Sequence, residues 1–106
     1  MKIDLMQLEF IDLKLRLMAI DVENRFGEKL ITSLYRIGDH GVHGTLPLRG
    51  LDFRCRTSRH GEEVENYVNK RWIYDSDRPE KKCCMFHTAG QGYHLHLQVH
   101  FNTKEI

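Results

Sequence analysis

The chain is defined first by what it lacks. No run of about 18 apolar residues occurs, so no stretch is suited to a membrane-spanning helix. Neither charge is in excess: 16 Lys and Arg face 15 Asp and Glu, and neither half is strongly basic. That removes the electrostatic footprint of a nucleic-acid binder, and no nucleic-acid partner is expected. There is no internal repeat and no low-complexity tract. Cysteine is scarce and odd in number (Cys55, Cys83, Cys84), with two of the three adjacent, which suits reduced packing residues better than a disulfide. Acidic residues stand at positions 4 and 9 and no cleavable signal pattern follows them. The expectation is a chain made in the cytoplasm that does not enter the Sec route by its own sequence. At 106 residues, one small domain with a single core is expected.

What is present is concentrated near the end. Residues 93–101 alternate strictly, with His94, His96, Gln98 and His100 against Leu95, Leu97, Val99 and Phe101. Period two predicts a strand with one face on a core and three histidines on the other. Two imidazoles spaced i and i+2 on a strand lie roughly 6.5–7 Å apart on one face, the beginning of a metal site.

The rest of the chain supplies a frame for that strand. Residues 4–26 read as one long amphipathic helix, with Asp4 as N-cap and Gly27 as its stop. Its core-facing stripe is expected to run through Met6, Phe10, Leu13, Leu17 and Ile20, widened by Leu8, Ile11, Leu15 and Met18. Residues 30–35 and 48–53 read as short strands, separated by a glycine-rich loop that displays His40 and His43. Residues 61–72 form a second predicted helix, acidic in its first turns and basic in its last. Val64, Tyr67, Val68 and Trp72 lie along one side of it. Residues 83–87 are a third strand, joined by a turn at 89–92 to the closing strand in an antiparallel hairpin. The fold class expected is α+β: an antiparallel sheet of about four strands, helices packed on one face, and a metal site on the other.

Asp52 stands between Leu51 and Phe53, where a buried carboxylate needs compensation by a metal or by an arginine such as Arg36, Arg49 or Arg54. With the loop histidines and the closing strand, it completes a donor set of the kind zinc takes.

Three motifs then fall in order: Ile31-Thr32-Ser33-Leu34-Tyr35-Arg36; His43 followed by Arg49-Gly50-Leu51-Asp52; and His94-Leu95-His96. This arrangement resembles the LAS-type zinc peptidases, the group of D-alanyl-D-alanine carboxypeptidases, VanX-like dipeptidases and phage endolysins with a Hedgehog-like fold. The resemblance spans most of the chain. It implies zinc held by His43, Asp52 and His96, with His94 as general base near the metal-bound water. It implies that Arg36 grips a substrate carboxylate or carbonyl and stabilises the developing oxyanion. Gln98, on the same face, is placed to hydrogen-bond substrate. The implied substrate is a peptidoglycan stem peptide, cut at a D,D- or L,D-type bond. The implied place of action is the bacterial cell wall, reached with a holin or as part of a virion.

Three departures keep alternatives open. Eight residues separate His43 from Asp52 where the family usually has six, so His40 stays a rival ligand. No glutamate precedes the late histidines in an E-x-x-H arrangement, which leaves the base as His94 or His87. The domain is short and no wall-binding module is attached. Hedgehog-type relatives keep zinc without peptidase work, so a non-catalytic zinc-binding domain is the alternative reading. A phage structural protein with incidental histidines is the third.

Overall fold

The computed structural model describes residues 10–29, 31–33, 40–41, 47–88 and 92–106. Helix α1 runs Leu13–Phe26, and Asp12 caps it by accepting the Lys14 N–H at 2.8 Å. The expected start at Asp4 lies outside the described residues. At the other end Gly27 adopts φ 91°, a conformation that favours glycine, and its N–H closes on Glu23 O at 2.8 Å.

Helix α1 buries only the flank of the expected stripe, not its centre. Leu15, Met18, Ala19 and Val22 are buried, while Phe10, Leu13, Leu17 and Ile20 are about half exposed, at 49 to 59%. The reason lies just ahead of the helix. Ile11 forms a parallel bridge with Leu48, Asp12 N donates to Leu48 O at 2.8 Å, and Leu48 N donates to Phe10 O. This tether fixes the rotation of the helix, so the stripe continuing from buried Ile11 through positions 15, 18 and 22 faces inward. Two apolar stripes compete on α1, and a backbone contact from outside the helix decides between them.

Strands β1 (Ile31–Ser33), β2 (Gly50–Cys55), β4 (Cys84–His87) and β5 (Tyr93–Gln98) form one antiparallel sheet in the order β1-β2-β5-β4. Leu51, Phe53, Leu95, Leu97 and Cys84 bury one face beneath α1 and helix α2 (Ser58–Arg71). Thr57 caps α2 by accepting the His60 N–H at 3.1 Å, and its Val64 and Val68 are fully buried. The chain is therefore α+β, with helices on one sheet face. No described helix is long and apolar enough to cross a membrane.

The helix also protects the edge of the sheet. On β4, Cys84 exchanges both backbone hydrogen bonds with the Asn69 side chain (2.9 and 3.0 Å), and Phe86 N donates to Glu65 Oε2 at 2.7 Å. Edge groups that would otherwise recruit another strand are thereby satisfied within the chain.

Two features depart from the sequence reading. Trp72 leaves α2 in extended conformation and, with Ile73, forms β3, which pairs with β6 (Lys104–Glu105) in a separate two-stranded ribbon. The closing strand ends at Gln98, short of Phe101. Val99 is fully buried, but the chain then turns at His100, and Phe101 is 70% exposed beneath the Arg49 guanidinium, 4.8 Å from its ring centroid. That turn is tied to the nearly buried Asp75, which holds Asp77 N at 3.0 Å and Arg78 Nε at 2.9 Å. The backbone bond and the arginine hold the Asp75 carboxyl below its ordinary range. The three cysteines are free and buried, as expected. Burial pushes the Cys83 thiol up to about 12 and raises Cys84 as well.

Candidate metal centre

On the sheet face away from the helices, strand register brings the polar positions of three strands side by side. Asp52 stands opposite His96 and Arg54 opposite His94 across the β2–β5 pair. On the other side of β5, Met85 stands opposite His96 and His87 opposite His94. Period two thus puts Asp52, Arg54, Met85, His87, His94, His96 and Gln98 on one surface.

Asp52 Oδ1 lies 2.7 Å from His96 Nδ1 on this surface. The two side chains are 18% and 12% exposed, so water reaches them only partly. The other imidazole nitrogen, His96 Nε2, lies 3.2 Å from Gln98 Oε1. Gln98 is held in that sense because its Nε2 donates to Lys82 O at 2.9 Å. Both nitrogens of His96 therefore face oxygen acceptors. Each contact is attractive where its nitrogen carries a hydrogen or a metal ion. Two donors of one tetrahedral zinc ion, each about 2.0–2.1 Å from it, stand about 3.3 Å apart. The observed 2.7 Å contact would have to open by roughly half an ångström to admit an ion.

His94, half-buried on the same face, lies between Arg54 and His87 in the register. The His87 side chain is exposed, with its ring centroid 6.3 Å from that of His96. His100 is drawn away by the turn: its Nδ1 lies 3.7 Å from Asp75 Oδ2 and its ring 5.7 Å from that of Tyr74. His40 is exposed. His43 and Arg36 lie outside the described residues, so the structure brings together two of the three expected ligands. No cluster of three or more metal-binding side chains occurs among the described residues.

Sequence reasoning placed Gln98 on this face as a substrate contact and did not see its tie to Lys82. The alternation of residues 93–101 gives the face but not the carbonyl that orients the amide. That carbonyl belongs to a charged connection with no pattern of its own.

No protein-family profile, curated protein or solved structure matches this chain.

Proposed function

We propose that this chain is a zinc-dependent peptidase domain of the LAS type that cleaves peptidoglycan stem peptides. The observation behind the reading is the Asp52–His96–Gln98 array, an imidazole with an acceptor at each nitrogen on the sheet face away from the helices. A carboxylate and an imidazole are donors that zinc accepts, so the residues present fit the ion. Asp52 and His96 would hold it together with His43. Zinc held there would supply Lewis acidity and lower the pKa of its bound water.

The chain's own groups account for the remaining chemistry. His94, one strand position pair along from His96, takes the proton of the attacking water at a ring nitrogen and returns it to the leaving amine. Arg36 pairs with the oxyanion or a terminal carboxylate of the substrate. Gln98 keeps the His96 ring in its plane through the Lys82 carbonyl, the kind of outer support that fixes metal-binding histidines.

A second reading, a non-catalytic zinc-binding domain, has an observation of its own. Among the described positions of this face on β2, β4 and β5, Asp52 is the only carboxylate, so none is left to serve as base. Hydrolysis of purified stem-peptide fragments by the intact chain and by His94→Ala separates the readings. The enzyme reading predicts turnover that His94→Ala lowers by about a hundredfold or more, the usual contribution of a positioned base. Equal inertness of both proteins would leave only the zinc-binding reading.

A further inference from the structure

A second site lies where β2 passes into α2. A cleft of 680 Å³ opens there, and its walls include Lys29, Arg54, Arg56 and His60, with Glu28 as the one carboxylate among the described residues and Phe26 as an apolar wall. Among the described residues of the wall, three cations against one acid leave two net positive charges around a single hollow. Arg54 and Arg56 are exposed and form no ion pair with any described residue. The positive end of the α2 dipole adds to the same field.

Lys29 is fixed in place. Its ammonium donates to Phe26 O at 3.3 Å and to His60 Nε2 at 2.7 Å, which leaves one further N–H for a ligand. Burial lowers Lys29 below its ordinary value; burial and then the neighbouring Lys29 charge lower His60. His60 is accordingly neutral near pH 7, accepts at Nε2 and carries its hydrogen on Nδ1, a second donor. Phe26 is held edge-on against His60 at 5.6 Å and Tyr67 at 5.3 Å between ring centroids.

This set of groups selects a ligand class. A phosphomonoester carries a charge of about −1.5 to −2 near neutral pH and three acceptor oxygens, which matches two net positive charges better than a single carboxylate does. The volume lies within the range of about 300–1,000 Å³ typical of small-molecule sites, so a phosphoryl group would share the cleft with an organic body. We propose that this cleft binds a small organic phosphate, its phosphoryl group among Lys29, Arg54 and Arg56 and its organic part against Phe26. The site requires no metal at Asp52 and His96, although Arg54 borders both sites, since it stands opposite His94 across the β2–β5 pair.

Titration of the intact chain with adenosine 5′-monophosphate, inorganic phosphate and succinate tests this, followed by calorimetry and by the His60 imidazole resonances. The nucleotide should bind saturably, more tightly than inorganic phosphate, and more weakly as salt rises. The double variant Arg54→Gln/Arg56→Gln should weaken it by about tenfold or more, since each charge-assisted contact is a strong one. Lys29→Met should weaken it independently, which covers the case of a double variant that fails to fold. Arg59→Gln, at an exposed residue paired with Glu63 outside the cleft, should leave it unchanged. The inference is overturned by no saturable response, by succinate or inorganic phosphate binding as tightly as the nucleotide, or by binding that survives loss of these cations.

Discussion

Replacing Gly61 by alanine sets two effects of opposite sign against each other at one atom. Gly61 is buried within α2, and alanine in a helix interior is favoured over glycine by about 1 kcal/mol. The new methyl, however, would fall on the Phe86 ring, 3.1 Å from Cγ and closer still to Cδ2 and Cε2. That ring cannot easily move aside. It stacks on Tyr93 at 5.5 Å, and its backbone N–H is fixed by Glu65. Overpacking of this kind costs about 1–3 kcal/mol, and expelling Phe86 forfeits part of the roughly 1.5–3 kcal/mol its burial supplies. A net loss of about 1–3 kcal/mol follows, a fall in Tm of roughly 4–8 °C per kcal/mol for a chain of this size. Phe86 pairs with Leu95 and precedes His87, so the same displacement reaches the strand pair beside His94. Urea and thermal unfolding of Gly61→Ala, Phe86→Leu and the double variant form the assay. The alanine should cost at least about 0.5 kcal/mol less when Phe86 is already leucine. A Gly61→Ala protein more stable than the parent would refute the reasoning, because helix propensity would then outweigh the contact.

Two further predictions concern the helices. Leu15→Ala should cost about 2–5 kcal/mol by opening a cavity, whereas Leu17→Glu should change stability by no more than about 0.5 kcal/mol. Denaturant midpoints check this, and the reverse order would mean that the outer stripe of α1 is the buried one. His60, lowered by burial and by Lys29 from the ordinary 6.5, is neutral in the folded chain where the unfolded chain already binds a proton. Its contribution to stability is therefore present above pH 6.5 and lost as pH falls through the lower folded value. A pH series of unfolding midpoints should show that fall, and His60→Gln should flatten it; an unchanged slope in the variant would contradict the assignment.

The parts of the fold that were legible in the sequence are those governed by one local rule. Strict alternation gave the buried Leu95 and Leu97 and the polar face of β5, and the Gly27 stop and the antiparallel hairpin of β4 and β5 followed from similar local signals. What was misread depends on contacts distant in sequence. The rotation of α1 is set by the Leu48 backbone, and the end of β5 by a turn anchored on Asp75. The β3–β6 ribbon joins two dipeptides more than 30 residues apart, too short to carry a pattern of their own. For the candidate site, the resemblance named Asp52 and His96 together with His43 as ligands, without their direct contact. Their direct contact depends on the register of β2 on β5, which a shift of one residue would abolish.

Asp52 and His96 are proposed to hold zinc. Metal content of the chain purified without chelator, beside Asp52→Ala and His96→Ala, tests it most directly. About one zinc ion per chain is expected, lost in either variant together with the rise in Tm on adding zinc. Absence of zinc from the parent chain, with no thermal shift when zinc is supplied, would contradict it.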